Sequence, residues 1–183
     1  CFSNRKSDIL FFAQKYDELI LKSIESTGFW NDSKEEEYVF YAQKIASNSL
    51  LDIPEEAFLQ TVSFVQNYVP KAYELRITIV DNQVFACKID SQCMENNKGK
   101  IDWRQGYDYG LKHEACTIPN EIANKCICFL RKMQLNFGAF DFIVPPTGEY
   151  VFLECNPNGQ WLWVELVTGL NISEAIASFL MKF

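Results

Sequence analysis

FGAFDFIVPPTGEYVFLECNPNG, Phe137 to Gly159, is the stretch that settles the fold class of this 183-residue chain. Two runs of aromatic and β-branched residues flank Pro145-Pro146-Thr147-Gly148, the pattern of a hairpin closed by a four-residue turn. Pairing Val144 with Glu149 would set Asp141 opposite Phe152 and diagonal to Glu154. Alternation then gathers Asp141, Glu154 and Asn156 on one face, and Phe140, Phe142, Val151 and Leu153 on the other. Three oxygen-bearing side chains on an otherwise apolar hairpin are costly unless something compensates them. Diagonal Cβ atoms ~7–8 Å apart let two carboxylates flank one cation, and a hard ion such as Mg2+ takes carboxylate and amide oxygens. A solvated edge hairpin could carry the same acids, but Asn156-Pro157-Asn158-Gly159 holds the last oxygen on a rigid turn.

Composition narrows the classes. An apolar fraction of 48% with 15 Phe supplies a core, in one domain or two small lobes. The net charge of −7 argues against a nucleic-acid partner. No run reaches the length of a membrane span, and no signal peptide is visible. The seven cysteines lack paired metal-ligand spacing and fit a reducing cytoplasm, with thiols as small core residues. A start at Cys1 rather than Met implies a piece of a longer protein, or the ordered part of one.

Taken in order, Ser3 or Asn4 is placed to cap a helix from about Arg5 to Tyr16. Glu18 to Ile24 reads as a strand carrying Lys22, Ser26 to Glu37 as an acidic loop, and Tyr38 to Ile45 as a second strand. Pro54 opens a short helix, and Val62 to Val69 is a strand halted by Pro70. Tyr73 to Ser91 is a second hairpin. A three-residue turn at Asp81-Asn82-Gln83 cleanly segregates its faces, with Leu75, Ile77, Ile79, Phe85, Cys87 and Ile89 opposed to Glu74, Arg76, Lys88 and Asp90. A two-residue turn would mix polar and apolar residues on both. Gln92 to Tyr109 is a polar loop holding Asp102-Trp103-Arg104. Pro119 opens a helix to about Leu135, Gln160 to Val167 is a short helix closed by Gly169, and Asn171 with Glu174 forms a capping box for the last helix. The fold class is α/β (α+β), with antiparallel hairpins in two lobes.

Cations gather near the acids in this reading: Arg76 and Lys88, with Lys22 and Arg104 from elsewhere. Such a set suits an anionic ligand, since Mg2+ bridges phosphates while Arg and Lys neutralise the remaining charge. Cross-strand ion pairing would explain the same residues at ~0–1 kcal/mol each. No Walker-type loop or Gly-rich dinucleotide fingerprint is present. His113 is the single histidine, set on a surface strand, so Ser-His-Asp chemistry has little support. Trp161 and Trp163 read as packing.

Taken together, Lys22, VSFVQNYVPKAYELRITIV, VFACKIDSQ, DWR and GAFDFIV…YVFLECNPNGQWLWVE resemble the ATP-grasp ligases. Within them the chain is most similar to the microviridin-type (graspetide) peptide ligases, and more distantly to the ribosomal-protein glutamate ligases. The resemblance implies an ATP-grasp fold with a nucleotide cleft between a smaller lobe, residues 1–69, and a larger one, 70–183. It also implies a preceding N-terminal domain outside this chain. Lys22 would reach the ATP phosphates, Gln66, Tyr68 and Val69 would meet the adenine, and Glu74 the ribose or the metal side. Arg76, Lys88 and Arg104 would be the catalytic cations, and Asp141, Glu154 and Asn156 the Mg2+ ligands.

The implied reaction activates a substrate carboxylate with ATP and Mg2+ as an acyl phosphate, which an amine or hydroxyl then captures. The implied substrate is a precursor peptide or a protein carboxylate, macrocyclised through ester or amide bonds. A homodimer is one allowed assembly, and neither nucleic acid nor membrane is a partner. Addition of an amino acid to a protein or small substrate, and a non-catalytic ATP-binding module, are the alternatives.

Overall fold

The computed structural model describes residues 1–24, 28–94 and 99–182. The chain divides into two compact units, Cys1–Val69 with Lys98–Gly106, and Pro70–Asn97 with Tyr107–Phe183.

The first unit contains β1 (Phe2–Ser3), α1 (Lys6–Ala13), β2 (Glu18–Lys22), β3 (Gly28–Asn31), β4 (Glu36–Val39), β5 (Gln43–Ala46), a 3-10 segment (Ser47–Asp52), α2 (Glu55–Leu59) and β6 (Ser63–Asn67). Its antiparallel sheet runs β1-β6-β2-β5. Leu19 and Val65 turn to one face, where they are buried with Ile9 and Ala13 of α1, Leu50 and Phe58. The expected loop from Ser26 to Glu37 falls partly outside the described residues, and the rest is not a loop. Gly28–Asn31 and Glu36–Val39 pair as a hairpin. Asn31 Oδ1 accepts the Ser33 backbone N–H at 3.1 Å and Glu35 takes a left-handed φ of 53°, so local turn chemistry outweighs the acidic composition. The single strand expected from Tyr38 to Ile45 is correspondingly split between β4 and β5.

The second unit contains β7 (Tyr73–Val80), β8 (Gln83–Asp90), a 3-10 segment (Trp103–Tyr109) that begins in the first unit, β9 (Lys112–Cys116), α3 (Asn120–Lys132), β10 (Phe137–Val144), β11 (Val151–Asn156), α4 (Leu162–Thr168) and α5 (Ile172–Leu180). Its sheet runs β11-β10-β7-β8-β9, antiparallel throughout. One face packs with α3: Leu75, Ile77, Ile79, Ala86, Phe140 and Phe142 are buried there with Cys126 and Leu130. On the other face α5 packs against β7 and α4 against β9.

This double covering corrects the β7–β8 register. Val80 pairs with Gln83, so Asp81-Asn82 is a two-residue turn, with Asp81 at a left-handed φ of 56°. Leu75 therefore lies opposite Lys88, and Arg76 opposite Cys87. Clean segregation of polar and apolar faces is a rule for sheets with one wet side, and β7 is buried on both.

At the C-terminal end, Gly169 closes α4 at φ 72° as expected. The expected capping box is absent, because Asn171 makes no side-chain cap. Glu165 of α4 takes over, accepting the Ser173 backbone N–H and hydroxyl, each at 2.6 Å. Those bonds hold its carboxyl below the usual range and tie α5 to α4.

Candidate functional site

Asp141 sits between two partners. Across β7 it pairs with Arg76, and across β11 it pairs with Glu154. The expected diagonal relation is thus corrected to a direct one, which brings the Cβ atoms to roughly 4.5–5.5 Å. Two one-residue shifts are the cause: Ile143 pairs with Val151 where the expected register gives Tyr150, and a bulge between Asp141 and Phe142 takes up Leu153. The shift at the turn also corrects the apolar face: Phe152, not Val151 and Leu153, joins Phe140 and Phe142, with ring centroids 6.4 and 5.6 Å away.

The rung Arg76–Asp141–Glu154 concentrates charge. Arg76 Nε lies 3.1 Å from Asp141 Oδ1, with side chains 13% and 17% exposed. Yet that buried N–H finds no well-aligned hydrogen-bond acceptor. Asn156, two residues beyond Glu154 on the same face, accepts the Asn158 backbone N–H on Oδ1 at 3.0 Å, and its carbonyl accepts the Gly159 N–H at 3.2 Å. The turn packs closely: a Cβ on Gly159 would stand 2.5 Å from Ala139 Cβ.

Neighbouring thiols add no charge. Burial pushes Cys87, opposite Arg76, up to about 12, and burial with the nearby Asp141 charge pushes Cys155 up to about 11. Among the described residues no group of three His, Cys, Asp or Glu could hold a metal. The donor set is two carboxylates and an amide, all oxygen, which fits a hard cation that keeps positions for water or phosphate. The under-satisfied Arg76 N–H beside it fits an incoming anion.

Glu74 lies two residues before Arg76 but is buried. Lys71 Nζ approaches its Oε1 to 2.6 Å, and Ser91 Oγ donates to the same oxygen at 2.7 Å. Gln92 Nε2 donates in turn to Ser91 Oγ at 3.0 Å. Lys71 and Ser91 were missed from sequence, where the only signal was the i, i+3 spacing in Lys-Ala-Tyr-Glu.

Lys88 is not brought to the site. The two-residue turn sets it beside Leu75, on the face opposite Arg76 and Asp141, with Glu114 at 3.9 Å and the Tyr73 ring at 5.2 Å. Asp90 shares that face, so the expected charged quartet is split two and two. One residue of register decides this.

In the first unit, Lys22 and Gln66 occupy the sheet face away from Leu19 and Val65, paired with Phe64 and Ile20. Lys22 Nζ is 5.9 Å from the Phe64 ring. Tyr68 continues that face past the strand end. Its backbone N–H donates to the Glu18 carbonyl at 3.0 Å, and Lys44 Nζ stands 3.9 Å over its ring. Val69 follows, partly buried. Arg104 forks onto buried Asp102, Nε to Oδ1 at 2.8 Å and Nη2 to Oδ2 at 2.5 Å, while Ala42 N–H reaches Oδ2 at 3.0 Å. Burial alone would raise the Asp102 carboxyl, but these bonds hold it below its ordinary value.

A RimK-like ATP-grasp domain profile matches residues 13–180. The structure is similar to a RiPP-associated ATP-grasp ligase from Chryseobacterium gregarium, solved with ADP and a leader and core peptide. The TM-score is 0.88 at 29% identity, over 100% of this chain and 54% of that one. It is similar to the macrocyclase MdnC from Microcystis aeruginosa MRC, bound with precursor peptide MdnA, at TM-score 0.81 and 31% identity, over 100% and 55%. D-alanyl-alanine synthetase A from Vibrio cholerae shares the fold, at TM-score 0.62 and 12% identity, over 100% and 58%. Among curated proteins none matches. The chain spans little more than half the length of these solved chains. With the profile running through both units and over both hairpins, the chain belongs to the RimK-like ATP-grasp family.

Proposed function

We propose that this chain is the ATP-grasp part of an ATP-dependent ligase. It would join a peptide carboxylate to an amine or hydroxyl, and macrocyclisation of a precursor peptide is the favoured form. The rung Arg76–Asp141–Glu154, extended by Asn156, carries the proposal. Peptide as substrate is supported by two solved relatives at 29% and 31% identity, each holding a peptide. Residues 1–69 are assigned to the smaller lobe and 70–183 to the larger, with segment 98–106 grouping with the former. Among the described residues no helix is long and apolar enough to cross a membrane, and all seven thiols are free, which supports a cytoplasmic setting.

Asp141, Glu154 and Asn156 would hold Mg2+, which when bound neutralises phosphate charge and aligns the transferred group. Arg76, paired with Asp141 at 3.1 Å, would spread positive charge over the phosphoryl group through its fork, the more so where Asp141 held a cation. Glu74, fixed by Lys71 and Ser91, is assigned to the nucleotide side. Lys22, Gln66, Tyr68 and Val69 are assigned to nucleotide contacts in the first unit, and Arg104 to a phosphate-side cation that Asp102 keeps oriented. Lys88 has no role here, since it faces the other way. No protein nucleophile is required: the residues neutralise charge and orient, which suits the attack of one anion on another.

The test is peptide-dependent ADP release by the intact enzyme, with mass spectrometry of the peptide. Loss of one water per bond is expected for cyclisation, and gain of an amino-acid mass would instead indicate the glutamate-adding type. Asp141→Asn and Glu154→Gln should each abolish turnover without unfolding the protein. Wild-type ADP release in both would remove the metal assignment.

A further inference from the structure

We propose that Trp163 is a positioning residue for Arg76, holding its guanidinium in place through the ring face. The inference rests on the reading of Arg76 as the phosphate-side cation. From sequence, Trp163 is a packing residue, and its place in α4 looks remote from strand β7. The structure brings the two together: Arg76 Cζ stands 5.8 Å over the Trp163 ring, inside the range of a cation–π contact. The sheet is shaped for this. Continuing the rung from Glu154 through Asp141 and Arg76, the next positions are Cys87 and Ala115, both small. They leave the space above β8 and β9 to a bulky group. His113, two residues from Ala115 on the same face, meets the indole edge-on, with centroids 5.4 Å apart and planes at 68°. The indole thus has two such neighbours, imidazole and guanidinium.

The chemical reason for such a support lies in what happens to Asp141. It is both the ion-pair partner of Arg76 and a proposed metal ligand. Were that carboxylate to hold a divalent cation, its grip on the arginine would weaken just where the arginine has to be aimed. An aromatic face neither ligates a metal nor titrates, so it keeps attracting the guanidinium whether Asp141 is engaged or not. Trp163 would therefore act on the phosphoryl-transfer step through Arg76 and would touch neither nucleotide nor metal.

The experiment is steady-state ADP release by the intact enzyme with its peptide, with four variants: Trp163→Leu, Trp163→Phe, Arg76→Ala and the Trp163→Leu/Arg76→Ala pair. Trp163→Leu should lower kcat about tenfold with KM for ATP unchanged within about twofold, and Trp163→Phe should recover most of the loss. In the Arg76→Ala background the same Trp163→Leu change should have no further effect, because the residue acts through the one already removed. An equal loss in both backgrounds marks plain packing and overturns the proposal, as does a wild-type kcat in folded Trp163→Leu. Should that variant not fold, ring-fluorinated tryptophan keeps the shape and weakens the ring face. A kcat falling with fluorination in the wild-type background alone supports the proposal, and no change refutes it. Asp141→Asn serves as the separate check: if it turns over normally, the ATP-site reading itself has failed, whatever Trp163 does.

Discussion

Replacing Lys71 by Met should strongly destabilise the second unit. The Lys71 and Glu74 side chains are 3% and 8% exposed, with 2.6 Å between Nζ and Oε1. Removing one partner of a buried ion pair typically costs ~3–5 kcal/mol, because the other charge stays buried. Here the Ser91 hydroxyl still donates to Glu74 at 2.7 Å, a bond to a charged group worth about 1.5–3 kcal/mol. That places the expected loss at the lower end, ~3 kcal/mol. With a urea dependence of about 2 kcal/mol per molar, the unfolding midpoint followed by circular dichroism should fall by roughly 1.5 M. The double change Lys71→Met/Glu74→Met removes both charges and should recover most of the loss, since apolar replacements of a buried pair are often neutral. A single variant within ~1 kcal/mol of wild type, or a double variant no better than the single, would refute the electrostatic account of this network.

Two further outcomes follow from local geometry. Gly159→Ala puts a Cβ 2.5 Å from that of Ala139, which lies opposite Asn156. It should cost ~1–3 kcal/mol as an overpacked site does and weaken Mg2+-dependent ATP turnover by shifting the turn. Ala139→Gly in the same chain should restore both, and the reasoning fails if the pair remains as impaired as the single variant. His113 is expected to make the fold acid-sensitive: burial lowers its folded pKa below 6.5, with a backbone hydrogen bond opposing the shift. Between the folded and unfolded values the unfolded chain binds the extra proton, so stability is present above about 6.5 and lost as pH falls through the folded value. A His113→Gln variant should show a flatter pH–stability profile in that window, measured by denaturant titration.

The hairpin from Phe137 to Gly159 and its Pro-rich turn were legible in position, because turn chemistry is local. The shared face of Asp141, Glu154 and Asn156 came out right because a one-residue shift at the turn and the one-residue bulge cancel in parity. The second hairpin was legible in position but not in register. Alternation chooses a register only when one face is wet, and here α3 covers one face while α4 and α5 cover the other. That single ambiguity misplaced Lys88, Phe85, Cys87 and Ile89 together. Lys71, Ser91 and Trp163 stayed hidden for a different reason. Each acquires its role from a tertiary neighbour, and nothing in Lys-Ala-Tyr-Glu or Trp-Leu-Trp-Val announces burial or the approach of an arginine.

The bulge at Leu153 shows why β11 could not be a regular strand and still serve the site. Near the turn, Ile143 pairs with Val151 and Phe142 with Phe152, which sends Phe152 into the aromatic cluster of Phe129, Phe140 and Phe142. Carried on without interruption, that register would pair Asp141 with Leu153 and Phe140 with Glu154. Both polar residues of β11's outer end, Glu154 and Asn156, would then be misfiled, with Glu154 turned onto the Phe140 face at a desolvation cost. One extra residue reverses the parity. Beyond it, Cys155 pairs with Phe140 and packs on the core, while Glu154 and Asn156 face the side of Asp141 and Arg76. The apolar half of the strand and the polar half thus make opposite demands on the same face of the sheet. A bulge between them satisfies both, and by its position it brings two carboxylates that would lie on opposite faces into direct opposition.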